Sequence, residues 1–82
     1  MQRVIAEADL SATGARISSM RKDSGLTNAQ VSESLGISVQ VFAKWQKGKG
    51  LPTLVHAILL ARLLGSTVEE MVVLMEGEKG DE

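Results

Sequence analysis

The sequence has no cysteine and no tyrosine, and it contains a single histidine, a single phenylalanine and a single tryptophan. Without cysteine the chain has neither disulfides nor thiolate metal sites. The lone histidine, His56, lacks neighbouring metal ligands and a carboxylate partner for acid–base catalysis, so we expect a surface or interface residue. We therefore expect a protein that is not an enzyme and that binds no metal, cofactor or small-molecule substrate.

Long hydrophobic runs are also absent. Residues 1–10 hold one arginine and a short apolar run, a pattern that does not predict a signal peptide. The longest apolar stretch, residues 51–64, is interrupted by His56 and Arg62 and is too short to cross a bilayer. We expect a cytoplasmic protein without a membrane segment. Because 82 residues give one small core, subunit contacts are the remaining source of extra stability.

The net charge of −1 conceals an uneven distribution of charged residues. Residues 10–68 carry seven basic and two acidic residues, whereas residues 69–82 carry six acidic residues and one lysine. Attraction to phosphate acts locally, because salt screens it beyond about 10 Å, so the distribution matters more than the total. The basic central part of the chain can therefore bind nucleic acid.

The stretch of residues 27–48 is predicted to form two short helices joined by a tight turn. Thr27, with Gln30 three residues later, is typical of a capping box at the start of the first helix. Gly36 allows the left-handed turn that a short connection needs, and Ser38 is a suitable N-cap for the second helix. Gly48 stands where a helix commonly ends in a left-handed residue.

The second of these helices has two different sides at about 100° per residue. Val41, Phe42 and Trp45 fall on an apolar side that we expect to face the core. The opposite side has no acidic residue and consists of Val39, Gln40, Ala43, Lys44 and Lys47. Small apolar groups, an amide and ammonium groups suit the base edges and phosphates of a DNA major groove.

Several short elements occur in one order along the chain. They are Gly14-x-Arg16-Ile17, Met20-Arg21-Lys22, Gly25-Leu26-Thr27, Leu35-Gly36-Ile37-Ser38, Lys44-Trp45-x-x-Gly48, Pro52, Leu64-Gly65 and Glu69-Glu70. In this order the chain from Gly14 to about Val72 resembles the phage-repressor-like (Cro/XRE-type) helix-turn-helix DNA-binding domain family. The resemblance implies an all-α fold, a compact five-helix lambda-repressor-like domain with the helix-turn-helix at helices 2 and 3.

The resemblance also implies a function, namely sequence-specific binding of double-stranded DNA by a transcriptional regulator. The predicted base-reading residues are Val39, Gln40, Ala43 and Lys44. The predicted phosphate-binding residues are Arg21, Thr27, Asn28, Lys47 and Lys49. Three residues depart from the family pattern. Asn28 stands where members usually carry Gln, Val39 where a polar residue is common, and Gln46 where Glu is frequent.

The flanking helices are predicted from the same kind of signal. Asp9 or Ser11 can cap a first helix over residues 12–24, with Ala12, Ile17 and Met20 facing inward, and Thr53 can cap another over residues 54–64. The expected inward face of the latter comprises Leu54, Ala57, Ile58, Ala61 and Leu64. Thr67 with Glu70 predicts a second capping box and a last helix through about Met75.

Some apolar residues exceed what one core requires. We therefore expect a homodimer with an interface of Leu59, Leu63, Val73, Leu74 and Met75. The alternative is an antitoxin-like or antagonist module that uses the same fold to bind a regulatory protein partner. The domain is predicted to span residues 10–75. Residues 1–9 are expected to form a short arm or helical turn, and residues 76–82 an acidic disordered tail.

Overall fold

The computed structural model describes residues 7–75. The prediction of an acidic disordered tail for residues 76–82 therefore lies outside the described residues, as do the first six residues of the predicted arm. The elements in chain order are β1 Glu7–Ala8, α1 Leu10–Asp23, α2 Asn28–Leu35, α3 Val39–Gln46, α4 Leu54–Leu63, α5 Val68–Met71 and β2 Leu74–Met75. The predicted five-helix fold, with the helix-turn-helix at α2 and α3, is confirmed.

Local sequence determines where each helix begins. In all five helices the N-cap side chain accepts a hydrogen bond from the backbone N–H three residues later, and these N-caps are Asp9, Thr27, Ser38, Thr53 and Thr67. The capping box of Thr27 and Gln30 has both of its reciprocal bonds. Gly36 ends α2 at a φ of 71°, as the predicted left-handed turn requires.

The core lies where α3 packs against α1 and α2, and where α4 packs against α2 and α5. Phe42 of α3 is fully buried, and its ring meets that of Trp45 edge-on with the centroids 6.0 Å apart. The remaining buried apolar residues are Ile17, Val31, Leu35, Ala57, Leu60, Ala61 and Met71. The aromatic side of α3 is thus anchored inside the domain, which leaves its opposite side outward.

Two glycines allow α1 to approach the end of α3 closely. A Cβ atom on Gly14 would lie 2.6 Å from the carbonyl oxygens of both Trp45 and Gln46. Gly48 has a left-handed φ of 75°, and a Cβ there would lie 2.9 Å from the Cα of Ser11. Backbone therefore contacts backbone at this crossing, and any larger residue would push the two helices apart.

The inward face of α4 differs from the prediction. Leu54 and Ile58 were expected in the core but are 74% and 41% exposed, whereas Leu60, which was not among the predicted core residues, is fully buried. Ala57 and Ala61 are buried as predicted. Nearly every position of α4 is apolar, so periodicity alone could not select the buried side. The buried side of α4 is rotated by roughly 45° from the predicted one.

The last helix is shorter than predicted. It ends at Met71, and Leu74–Met75 forms a strand that pairs antiparallel with Glu7–Ala8. The prediction of helix through Met75 is therefore wrong, and Glu7–Ala8 is a strand rather than a helical turn or a free arm. The successive β-branched residues Val72 and Val73 favour the extended backbone seen there.

The cap of α5 also differs in one bond from the predicted box. The backbone N–H of Glu70 donates to the Thr67 hydroxyl, as expected for the N-cap. The Glu70 carboxylate, however, accepts a hydrogen bond from the Ser66 hydroxyl at 2.9 Å. The first turn of α5 is thus tied to the residue before its cap.

Thr13 connects the two ends of the described chain. Its side chain is buried in α1, where the hydroxyl accepts a hydrogen bond from the Val73 N–H at 2.9 Å and donates to the Val73 carbonyl at 3.3 Å. The Asp9 N–H also donates to the Val73 carbonyl, at 2.7 Å. The hydroxyl therefore gives the half-buried Val73 N–H its acceptor, whereas the Val73 carbonyl accepts from Asp9 as well.

Replacing the buried Thr13 with valine should destabilise the domain by about 1–3 kcal/mol, because the half-buried Val73 N–H loses its acceptor while the side-chain volume is kept. Urea unfolding followed by circular dichroism measures this free energy. Ser19→Ala, at an exposed position of the same helix, is the control and should change stability by less than about 0.5 kcal/mol. A Thr13→Val protein as stable as the parent would contradict the role of the hydroxyl.

Candidate nucleic-acid interface

The outward side of α3 carries the predicted base-reading residues. Val39, Gln40 and Lys44 are exposed and Ala43 is partly buried, while Phe42 and Trp45 face the core. The structure therefore brings these four residues together on one accessible face. Val41, expected on the inward side, is 38% exposed and lies at its edge. No part of the described chain covers Gln40 or Lys44.

Two lysines stand at the end of this helix. Lys47 is the C-cap of α3, and the Lys49 N–H donates to the carbonyl of Lys44 at 2.9 Å. Both side chains are exposed. Gly48 between them turns the chain through its left-handed conformation. The sequence thus places three ammonium groups, those of Lys44, Lys47 and Lys49, around one helix end, where positive charge is favourable both for the helix dipole and for phosphate.

A hydrogen-bonded chain joins α1, α3 and α2 beside this face. The Arg21 Nε donates to Gln46 Oε1 at 3.1 Å, and Gln46 Nε2 donates to Asn28 Oδ1 at 3.0 Å. Arg21 Nη1 also donates to the Leu26 carbonyl at 2.7 Å. The predicted phosphate-binding residues Arg21 and Asn28 are therefore half-buried and mutually oriented.

Gln46 was not predicted as a site residue. The sequence pattern showed only that it replaces a frequent Glu. In projection at about 100° per residue, however, Gln46 falls within roughly 20° of Val39, at the edge of the outward face. That angle was the available signal. Its partners on α1 and α2 could not be read from the spacing of one helix.

Thr27 stands at the start of α2, next to Asn28. Its hydroxyl accepts from the Gln30 N–H at 3.1 Å, and its own N–H donates to Gln30 Oε1 at 2.9 Å. The hydroxyl proton is free of these bonds and can be donated to an anion. The N-terminus of a helix also carries a partial positive charge. Thr27 and Asn28 thus place donors at one electropositive helix end.

Residues 7–75 contain neither a cluster of metal ligands nor a membrane-spanning helix. Within that range no three His, Asp or Glu side chains are arranged to hold a metal ion. No helix in the same range is both long enough and apolar enough to cross a membrane. His56 is partly buried, with its ring 6.0 Å from that of Trp45 and its Nδ1 3.1 Å from the Thr53 hydroxyl.

The predicted interface residues lie on two separate elements. Leu59 and Leu63 are exposed on α4, and Leu74 and Met75 are exposed on β2, with Val73 partly buried before them. Further apolar residues, which were not predicted as interface residues, are exposed on α4. We call this surface the α4 outer face, and it consists of Leu54, Val55, Ile58, Leu59 and Leu63.

Comparison with known proteins adds relatives. A family model described as helix-turn-helix matches residues 17–71. The chain is 32% identical over 56 residues to the cryptic phage CTXphi transcriptional repressor RstR of Vibrio cholerae, covering 68% of this chain and 50% of that protein. It is 35% identical over 57 residues to an uncharacterized HTH-type transcriptional regulator of Methanothermobacter thermautotrophicus, covering 68% of this chain and 83% of that protein. The chain thus spans half the length of the phage repressor.

Solved structures share the fold. The restriction-modification controller protein C.AhdI from Aeromonas hydrophila is similar with a TM-score of 0.71 and 24% identity, covering 77% of this chain and 96% of that chain. Hydroxypropylphosphonic acid epoxidase from S. wedmorenis has a TM-score of 0.72 and 20% identity, over 78% of this chain and 34% of that chain. At these identities the likeness shows the fold alone, and a fold can serve unrelated functions.

Proposed function

Because this chain belongs to the helix-turn-helix family, we propose that it is a sequence-specific regulator of transcription that inserts α3 into the major groove of double-stranded DNA. The observation that carries the proposal is the outward side of α3, which is exposed, acid-free and held by the buried Phe42 and Trp45. RstR, named as a transcriptional repressor, supports the same role. No enzymatic step is part of this function, which would be performed in the cytoplasm.

The proposed base contacts follow from the chemistry of the exposed side chains. The Gln40 amide can donate and accept at adenine, and the Lys44 ammonium can donate to guanine. Val39 and Ala43 offer apolar contacts for a thymine methyl group. Lys47 and Lys49, with the donors of Arg21, Thr27 and Asn28, would hold the flanking phosphates and so set the register of α3 in the groove.

We further propose that the protein acts as a two-fold dimer formed through the α4 outer face. Several exposed apolar residues on one side of a helix commonly mark a protein–protein contact. Within the face, Leu54 and Val55 are 74% and 63% exposed. A two-fold dimer would place two α3 helices in successive major grooves, roughly 34 Å apart, on a symmetric operator.

The test separates base reading from phosphate binding. A duplex is first selected from a random pool, and its affinity is then compared with that of an unrelated duplex over a range of salt concentrations. Lys44→Ala should cost about 1–3 kcal/mol on the selected duplex and relax the preference at one base position. Lys49→Ala should weaken both duplexes alike and reduce the salt slope by about one. Equal losses on both duplexes for both variants would contradict the assignment of Lys44 to base reading.

A second function is supported by the exposed apolar surface. The α4 outer face, together with the apolar Val39 on α3, suits an antitoxin-like or antagonist module that binds another protein chain. The DNA titration distinguishes the two functions directly. Absence of salt-dependent binding to any duplex, together with a reproducible stoichiometric complex with one protein, would favour the second.

A further inference from the structure

The hydrogen-bonded chain from Arg21 through Gln46 to Asn28 has a direction that its first member imposes. A guanidinium group has N–H donors and no acceptor, so only an oxygen of Gln46 can face the Arg21 Nε. Oε1 occupies that position, at 3.1 Å. The other end of the Gln46 amide is therefore the Nε2 group, which can only donate.

The same reasoning fixes the next amide. Because Gln46 Nε2 donates at 3.0 Å, the Asn28 atom that receives it must be Oδ1. Both hydrogens of the Asn28 Nδ2 group then remain for another acceptor. Asn28 is the first residue of α2, beside the N-cap Thr27, where the helix end favours an anion.

We propose that Gln46 is a positioning residue for phosphate binding. Because Arg21 can only donate, it fixes the orientation of the Gln46 amide, and Gln46 in turn fixes that of Asn28. The Asn28 amide therefore presents its NH₂ group to the DNA backbone. This inference rests on the proposed function. Because Arg21, Gln46 and Asn28 are half-buried and already hydrogen-bonded to one another, their side chains lose little freedom when the phosphate binds. Gln46 itself touches no DNA in this arrangement.

The substitution Gln46→Glu reverses the direction of the hydrogen bond between position 46 and Asn28, with almost no change in side-chain shape. A carboxylate at this position has no N–H or O–H to donate. It accepts a hydrogen bond from Arg21, and it can only accept one from Asn28. The Asn28 amide must then turn its Nδ2 group inward, and its oxygen faces the phosphate. The link from α1 to α3 becomes an ion pair, so folding stability should be kept or raised while DNA binding is weakened.

A double-mutant cycle separates this reversal from the simple effect of added negative charge. The affinities of the parent, Gln46→Glu, Asn28→Ala and the combined variant are measured on the selected duplex. A bare charge effect would be the same in both backgrounds. The reversal predicts that Gln46→Glu weakens binding about tenfold more when Asn28 is present than when alanine replaces it. Thermal unfolding of each variant shows that the fold is retained.

A second pair of measurements reports on the phosphate itself. Asn28→Asp can still accept from Gln46 but lacks the outward donor, so it should lose affinity as Gln46→Glu does. Duplexes with one phosphate at a time replaced by a neutral methylphosphonate should reveal a position that matters for the parent. Neutralising that phosphate should no longer change the affinity of Gln46→Glu or of Asn28→Ala. A merely structural role of Gln46 would not produce this result.

The outcomes are distinguishable. Equal effects of Gln46→Glu in the two backgrounds, or an unchanged methylphosphonate pattern, would overturn the positioning role and leave the proposed function standing. If the parent protein itself bound no duplex in a salt-dependent way, the proposed function would fail before any variant was made.

Discussion

Replacing Gly14 with alanine should cost the domain about 2–3 kcal/mol or more, although alanine favours a helix over glycine by about 1 kcal/mol. The added Cβ would lie 2.6 Å from the carbonyl oxygens of Trp45 and Gln46. Those atoms belong to the backbone of α3, so no side-chain rotation relieves the clash. A loss of this size is a large fraction of the stability of a small domain. Urea unfolding followed by circular dichroism is the measurement.

Other glycines of the chain provide graded controls. At Gly50 a Cβ would meet no atom within 4 Å and the backbone has no positive φ, so Gly50→Ala should leave stability nearly unchanged. At Gly65 there is equal space but φ is +70°, so Gly65→Ala should cost about 1 kcal/mol. Gly48 combines a positive φ with a close backbone neighbour and should resemble Gly14.

A different order of stability losses among these glycine variants would contradict the explanation by close backbone packing. If Gly14→Ala were as stable as the parent or more stable, helix propensity would outweigh packing, and the close crossing of α1 and α3 would be wrong. The crossing also has a functional consequence. It holds Gln46 at hydrogen-bonding distance from Arg21, 3.1 Å between Oε1 and Nε, so a variant that opens it should weaken DNA binding as well.

The features predicted best are those decided by neighbours along the chain. The N-caps Thr27, Ser38 and Thr53 bond to N–H groups three residues away, and Gly36 turns the chain within the connection itself. Such bonds need no knowledge of the rest of the fold. The amphipathic division of α3 was also predictable, because its only aromatic residues share one side.

The features that were missed depend on distant partners. Thr13 and Val73 are separated by 60 positions, and a strand of two residues has no periodicity to detect. The hydrogen bonds of Gln46 connect three helices: its partner Arg21 lies 25 positions away along the sequence, and its partner Asn28 lies 18 positions away. The buried side of α4 was misassigned for a related reason, since an apolar helix is oriented only by what packs against it.

That misassignment changes the predicted interface. With Leu54 and Ile58 outside the core, Leu59 and Leu63 belong to a larger apolar side of α4 instead of being isolated extra residues. At about 100° per residue the α4 outer face covers about half of the helix circumference, interrupted by Arg62. The outer face is therefore a stronger candidate for subunit contact than the sequence pattern indicated.

Replacing Val55 with glutamate should convert the proposed dimer to a monomer and weaken binding to a symmetric two-half-site duplex by about 10²–10⁴-fold. The residue is 63% exposed on the α4 outer face, so the monomer should fold normally while the carboxylate opposes burial in an apolar contact. Losing the second half-site contact removes the gain from joining two binding modules. Sedimentation equilibrium gives the oligomeric state, and fluorescence anisotropy gives the affinity.

Two controls separate dimer loss from the effect of negative charge. Binding of Val55→Glu to a duplex with a single half-site should equal that of the parent, because each monomer still presents an intact α3. Ser19→Glu adds the same charge at an exposed position of α1 and should leave the dimer and its two-site affinity nearly unchanged. A loss in either control would mean that charge repulsion from DNA, rather than subunit separation, weakens the binding.

The remaining outcomes identify which surface associates. If Val55→Glu stays dimeric and Leu74→Glu becomes monomeric, the contact is formed by β2, where Leu74 and Met75 are exposed. If the parent is a monomer alone and on DNA, the α4 outer face is free for another protein, as the antitoxin-like alternative requires. Comparing the affinities for duplexes with one and with two half-sites then shows how the protein recognises DNA. A protein that binds as a monomer should gain no affinity from a symmetric second half-site.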